Sequence, residues 1–424
     1  MFDHIVIGGG FAGLSAAVHL SSKGKKVELI ESSQKLGGRA YSLADRQTNT
    51  IIDNGQHIMM GCYKDTLNFF RMIGAEDNLI FQERLQVNFL LPHLELVPLR
   101  SISNIYPFNL AIGLLNYKAL SIKNRLSLLR FFLKLLLLSE HDLNGMTIAD
   151  WLNMENQNNR ILKSFWEILT AGALNTSIRK ASARIFRDVL IEIFYKGNKA
   201  STIILPKYGL TESYCNNARN YIEQRDGKIS TGEQVNKFLI KEGSIRSIMT
   251  SKRILTDFKY VITSVPYYGL KRILPYENIV PDPGFNYSSI LTVHIWLKEN
   301  HLKKTFYGLI GSGIHWIFNH GTHLTLVRSD ADELIEKNKE ELIELVKSEL
   351  YNYCLIEEKN ILDFRIIKEK RATFIPSDNI LDKRPGPVTS VKNLILAGDW
   401  TDTGLPSTIE SAVKSGRIAA EACS

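Results

Sequence analysis

Four groups of residues in this chain have the types and spacing to hold a phosphate-bearing ligand. The first is Gly8-x-Gly10-x-x-Gly13, reached from the apolar run His4-Ile5-Val6-Ile7. In such a turn the first glycine permits the bend and the second lets the backbone approach a pyrophosphate. The third allows helix and strand to pack closely. Phe11 and Ala12 open the helix that follows, and its N-terminal N–H groups and positive dipole end favour phosphate oxygens. The second group is Glu31 with Ser32, just after Val27-Glu28-Leu29-Ile30. A carboxylate there accepts hydrogen bonds from ribose hydroxyls and disfavours a 2′-phosphate. The third is Leu36-Gly37-Gly38-Arg39, where small residues permit close approach and Arg39 offers a forked cation to phosphate oxygens. The fourth lies at the far end, where Leu394-Ile395-Leu396-Ala397 runs into Gly398-Asp399-Trp400. A glycine-rich turn alone is common, but strand, helix and acidic residue in register point to a bound dinucleotide.

The elements that position these groups are legible in outline. Strand, helix from Phe11 to Ser22 and second strand form a βαβ opening, which predicts a parallel sheet and an α/β fold. After Asn54 the pattern becomes leucine-rich and helical to about Lys199. Strands are expected at Thr202 to Leu205, from Val235 onward as two hairpin strands, at Tyr260 to Val265 and at Ile290 to Leu297. Helices are expected at Leu210 to Gln224 and, strongly charged, at Asp332 to Tyr351. Sheet-like pieces at the start, middle and end suggest one discontinuous Rossmann-like domain interrupted by insertions.

The GGR element and the GDW segment resemble the amine oxidase and carotenoid desaturase superfamily of flavoproteins. Within it, Asp53-Asn54-Gly55-Gln56-His57, Ala173 to Phe186, Lys368 to Phe374 and Gly398 to Arg417 resemble the bacterial hydroxysqualene dehydroxylases. That resemblance spans the chain. It implies an FAD-binding domain made of residues 1–60, 202–265 and 390–424, with an α+β substrate domain made of 61–201 and 266–389. It also implies that Asn54, Gly55, Gln56 and the backbone of Val235 meet FAD. Asp399 would bind the ribityl or pyrophosphate region, and the helix starting near Thr408 and Ile409 would face the flavin ring. The activity implied is reductive: an allylic C30 alcohol, hydroxysqualene, loses its hydroxyl and gains a hydride to give squalene. Carotenoid-type desaturation is the alternative within the superfamily, and a non-catalytic lipid-binding escort is a reading outside enzymology.

For the group that helps water leave, His57 is the first candidate because imidazole titrates near neutrality. A purely structural histidine is the competing reading. Asp402 is the second candidate, with a helix-capping role as its alternative. No second dinucleotide fingerprint is present, so an external electron donor is expected to reduce the flavin.

The remaining composition mostly excludes. Cys62, Cys215, Cys354 and Cys423 are far apart, without CxxC or a Cys/His cluster, so neither a disulfide framework nor a metal site is expected. The first strand begins almost at the first residue, which leaves no room for a signal peptide and fits a cytoplasmic protein. The net charge is +8, and Ser101 to Ser139 holds Lys118, Lys123, Arg125, Arg130 and Lys134 without an acidic residue. These basic residues alternate with leucines rather than aromatics, which disfavours nucleic acid. The segment is too interrupted to span a bilayer. A helix lying in a membrane interface and a buried helix with snorkelling cations both remain open.

Overall fold

The computed structural model describes residues 2–101, 106, 108–274 and 279–423. Five strands form a parallel sheet in the order Lys228–Ser230, Val27–Ile30, His4–Ile7, Tyr260–Thr263, Leu394–Leu396. In chain order these are the third, second, first, fourth and fifth strands of the sheet. The direction of growth therefore reverses beside His4–Ile7. In doubly wound sheets the crevice past the C-terminal strand ends at such a reversal is where ligands bind.

The strands are short apolar runs because both faces of this sheet are covered. Side chains alternate between two cores. Val6, Leu29, Ile262 and Ile395 pack with the helices Phe11–Ser22, Asn216–Glu223 and Ile409–Ala422. Ile5, Ile7, Val261 and Leu396 pack with the antiparallel strands Val235–Lys241 and Ser244–Thr250 and the helix Tyr267–Ile273. Burying a side chain of this size contributes about 1.5–3 kcal/mol. Two glycines set the close approach of the helices. A Cβ on Gly13 would collide with the Gly8 carbonyl, and one on Gly416 would collide with the Ala12 carbonyl.

The second part is a seven-stranded sheet in the order Ile361–Phe374, Tyr287–Leu297, His323–Ser329, Trp316–Asn319, Phe306–Leu309, Gln86–Leu91, Glu95–Arg100. Its pairings are antiparallel except where Phe306–Leu309 runs parallel to Gln86–Leu91. Helices between Phe108 and Phe194 pack on it through Trp151, Trp166, Phe131 and Phe186.

Several elements depart from the sequence reading. The hairpin Gln86–Leu91 and Glu95–Arg100 lies in a stretch expected to be helical. Its inward residues Val87, Phe89, Val97 and Leu99 alternate, but Leu90 and Leu96 stand at the intervening positions and hide the period of two. The charged helix is two, Asp332–Ile335 and Lys339–Cys354, because Asn338 and Glu341 form a reciprocal capping box that starts the second afresh. The strand Ile203–Pro206 pairs antiparallel with Met59–Met60 and Leu79–Phe81, outside the parallel sheet. Ile204 enters the core of the parallel sheet while Ile203 and Leu205 enter the helical one, so this strand is a shared wall. The helix Lys64–Met72, expected in the insertion, also packs on the parallel-sheet side through Phe69 and Phe70. Of the basic segment 101–139, residues 102–105 and 107 lie outside the described residues.

Candidate active site

A cavity of about 1290 Å³ runs from the end of the parallel sheet into the helical half. Single small-molecule pockets are typically ~300–1,000 Å³, so this space suits two ligands together.

Its polar end is assembled from loops that the sequence marks out. Gly8 has φ +104°, a left-handed conformation that glycine adopts without penalty. Gly9 N–H donates to Glu31 Oε2 at 2.6 Å, and Ser33 N–H donates to Glu31 Oε1 at 2.7 Å. The Glu31 carboxylate thus fixes the glycine turn while Glu31 and Ser32 face the cavity. Gly37 N–H donates to Gly9 O at 2.8 Å, which docks the second glycine turn on the first. A Cβ on Gly38 would lie 3.0 Å from Gly10 Cα, and Gly38 has φ +60°, so this contact requires glycine at position 38. Tyr214 holds the second turn from behind: its hydroxyl donates to Ala40 O at 2.9 Å, and its ring stacks on Phe11 at 4.0 Å.

Arg39 and Asp399 form an ion pair in the wall of this end. Burial works against the Asp399 anion, but the Arg39 guanidinium and the Ser407 hydroxyl outweigh it and hold the carboxyl below its usual range. Arg39 Nη1 also donates to Ala372 O at 2.9 Å. Asn54 also lines the cavity, and its side chain donates to Arg39 O at 2.9 Å and accepts from Tyr41 N–H at 3.2 Å. Gly55, Gln56 and Val235 line the cavity, as do Ala12, Gly398 and Ile409. Thr408 caps the Ile409–Ala422 helix, accepting from Ser411 N–H at 3.2 Å, so the start of that helix faces the cavity.

Two sequence-predicted residues stand elsewhere. Gly13 does not line the cavity; it gives the helix its close seat on the strand. Asp402 is exposed, outside the cavity, and accepts from Gly404 N–H at 3.2 Å. It therefore reaches no ligand there and caps no helix, because the cap is Thr408. His57 does line the cavity, but burial, with help from Arg39, pushes its pKa down to about 4. At neutral pH it is an uncharged imidazole, not the near-neutral titrating acid expected from its type.

Other residues at this end carry no sequence signature. Arg384, from an unremarkable Lys-Arg-Pro stretch, is buried and donates to Leu405 O at 2.7 Å and Asp399 O at 2.9 Å. Burial lowers its pKa to about 10. Glu410 is buried in the first turn of the last helix and accepts from Asp65 N–H at 2.9 Å and Thr66 N–H at 2.8 Å. Burial raises its pKa. The one hint in the sequence is that Glu410 lies two residues after the cap Thr408, in the first helical turn.

The other end of the cavity is apolar, walled by Val87, Phe89, Phe165, Ile168, Trp316 and Phe318. Among the described residues no group of three or more His, Cys, Asp or Glu side chains could hold a metal, and all four cysteines are free thiols. No helix of the described residues is long and apolar enough to cross a membrane.

Fold and site together define an α/β protein of the doubly wound class whose cavity joins a glycine-turn end to an apolar end. Comparison with known proteins narrows the class: the chain matches the profile of the flavin containing amine oxidoreductases over residues 11–424. It belongs to that family and is a flavin-dependent oxidoreductase. It is 28% identical to the hydroxysqualene dehydroxylase of Zymomonas mobilis, over 98% of this chain and 97% of the relative. It is 29% identical to that of Rhodopseudomonas palustris, with the same coverage. Identity to a 15-cis-phytoene desaturase of Glycine max is 22%, over 99% of this chain and 78% of the relative. Among solved structures, an oxidoreductase from Methanosarcina mazei superposes with TM-score 0.73 at 16% identity, covering 98% of both chains. A putrescine oxidase variant superposes with TM-score 0.74 at 13% identity, covering 100% of this chain and 98% of that one. At such identities the likeness is one of fold.

Proposed function

We propose that the protein binds FAD and reduces hydroxysqualene to squalene, replacing an allylic C–OH bond with C–H and releasing water. The observation that carries this reading is the end-to-end similarity to hydroxysqualene dehydroxylases, at 28–29% identity over 97% of the relative, against 22% over 78% of a phytoene desaturase. The long apolar end of the cavity, continuous with the glycine-turn end, supports an isoprenoid substrate. The cradle fits FAD: paired glycine turns for a pyrophosphate, Glu31 and Ser32 for a ribose, Val235 for adenine, and a helix start for the ring. The flavin-binding part then comprises the parallel sheet and its covering elements, and the seven-stranded sheet with its helices forms the substrate part.

Reduced FAD supplies the hydride when bound. The chain's own residues do the rest. Gly10 and Gly38 leave room for the pyrophosphate, and Arg39, neutralised by Asp399, lends directional N–H groups without a net charge in the wall. The free N–H groups at the start of Ile409–Ala422 favour negative charge on the ring they face. His57, uncharged, donates one ring N–H to the departing hydroxyl and does not hand over a second proton. Hydroxide is a poor leaving group even from an allylic carbon, so a proton from solvent reaches the oxygen as the C–O bond breaks and the group leaves as water. The apolar walls keep other water from the reacting carbon. An external donor reduces the flavin between turnovers.

The test is anaerobic. The purified protein is reduced with dithionite and mixed with hydroxysqualene. Return of the flavin bands with stoichiometric squalene supports the reading. Bands that stay bleached, with turnover of phytoene-like polyenes by the oxidised protein, would replace it with desaturation.

A further inference from the structure

The basic segment is resolved by the structure into two helices, Phe108–Leu115 and Ile122–Leu135, that are buried on one side only. The inner face of the second is firmly seated. Leu128, Phe131, Phe132 and Leu135 are buried, with Phe131 packed 4.6 Å from Trp166 and Phe132 packed 5.2 Å from Phe194. The outer face is also apolar. Ile122, Leu126 and Leu133 fall within a sector of roughly 40° at ~100° per residue, and they are 71%, 54% and 62% exposed. Leu136 and Leu137 extend this stripe, and Phe108, Ile112 and Leu115 form a second one on the neighbouring helix. No other stretch of the described chain exposes as many large apolar side chains.

The charges on this face divide in two. Arg125 donates to Leu120 O at 2.7 Å and Leu115 O at 3.0 Å, and Lys134 pairs with Glu155 at 2.6 Å. Lys118, Lys123 and Arg130 are exposed and make no ion pair or hydrogen bond with the described residues. An exposed leucine stripe bordered by unpaired cations of one sign has the chemistry of an interfacial helix on anionic lipid. A twofold contact between copies would set this face against itself and bring its like charges together.

We propose that this two-helix face docks the protein on an anionic lipid surface, with Ile122, Leu126, Leu133 and Leu137 entering the acyl boundary and Lys118, Lys123 and Arg130 meeting headgroup phosphates. The same layer is the outer side of the cavity wall. Phe194 and Arg187 line the cavity, and behind them Phe194 packs on Phe132 while Arg187 Nε donates to Leu138 O at 2.8 Å. Docking therefore brings the apolar end of the cavity next to lipid. Its use in substrate uptake rests on the isoprenoid reading; the docking itself does not.

The full-length flavoprotein is sedimented with vesicles of mixed phosphatidylglycerol and phosphatidylcholine, and with vesicles of phosphatidylcholine alone. Binding is expected to the first and to be weaker on the second. The triple variant K118Q/K123Q/R130Q should lose on the order of 100-fold in partition onto anionic vesicles, at roughly fivefold per cation. The triple variant L126Q/L133Q/L137Q should lose more than tenfold on both vesicle types. Both variants should retain the flavin spectrum and the wild-type melting temperature, because every altered side chain is exposed. A wild-type protein that stays in the supernatant, or variants that bind as it does, would overturn the proposal. So would a wild-type dimer that L126Q/L133Q/L137Q converts to monomer. A protein that binds vesicles but leaves hydroxysqualene untouched would overturn the functional reading alone.

Discussion

Arg39 and Asp399 stand 360 positions apart in the chain and meet as an ion pair in the wall of the cavity. One comes from the second glycine turn and the other from the loop after the last strand of the parallel sheet. The pair closes the two ends of the chain around one site, and Ser407 and the backbone of Ala372 complete its hydrogen bonding.

Breaking that pair is expected to destabilise the fold. Asp399→Asn leaves the guanidinium without its counter-charge and should cost about 1–2 kcal/mol, less than for a fully buried pair because the Arg39 side chain is 35% exposed, read as a lowered denaturation midpoint. The native carboxyl is held below its ordinary value, so its contribution is present above the unfolded carboxylate pKa of ~3.9. That contribution is lost as pH falls through the depressed folded value. The stability difference between wild type and Asp399→Asn should therefore persist from pH 8 to about 5 and shrink only in stronger acid. A gap that closes near neutrality would show that the pair does not hold the fold.

His57 gives a contrasting pH signature. With its pKa at about 4, it is neutral in the folded protein at pH 6 to 8, and turnover should show no inflection from it there. The unfolded chain takes up the proton near pH 6.5, so stability falls as pH drops from ~6.5 towards 4. His57→Gln should remove part of that acid loss. His57→Ala should keep the flavin and reduce turnover about tenfold or more through the lost N–H donor. A rate inflection near 6.5 that disappears in His57→Gln would mean a charged imidazole at work.

On the proposed FAD reading, Glu31 meets the adenosine half of the cofactor and not the flavin half. Glu31→Gln keeps one acceptor for Gly9 N–H or Ser33 N–H but loses the charge available to a ribose. FAD affinity should fall about 10- to 100-fold, from ~1.5–3 kcal/mol for a hydrogen bond to a charged group. FMN, which lacks the adenosine half, should bind both proteins alike. Equal weakening of FMN would place the effect in the glycine turn instead.

Gly172 lies in the helix Glu167–Leu174 and lines the apolar end, and a Cβ there would lie 3.5 Å from the Trp316 ring. A methyl fits, so Gly172→Ala should be active, and replacing a helix glycine should raise stability by up to ~1 kcal/mol. Gly172→Leu fills the cavity beside Trp316. It should cut kcat/KM for a C30 substrate at least tenfold, with the flavin spectrum unchanged. Full activity in Gly172→Leu would put the substrate elsewhere.

The sequence by itself determined the parts of this protein that depend on local backbone requirements. A glycine that must adopt positive φ at position 8, a close approach at Gly13 and an acid at the end of the second strand leave few alternatives. The βαβ opening, the parallel sheet and most residues that line the polar end of the cavity were therefore legible residue by residue. Tertiary structure decided what depends on partners distant in the chain. The Val87–Leu99 hairpin reads as helix until its alternating side chains find the seven-stranded sheet. Arg384 comes to support the cavity wall only because the chain folds back onto Asp399 and Leu405. His57 changes from a titrating acid to a neutral imidazole because burial, which no local pattern encodes, makes its charged form expensive. Asp402, three residues from Asp399, points to solvent because the loop turns at Gly404. The basic leucine segment, open between interior and interface in the sequence, takes both roles at once. One side packs against Trp166 and Phe194, while the other lies bare because no element of the described chain covers it.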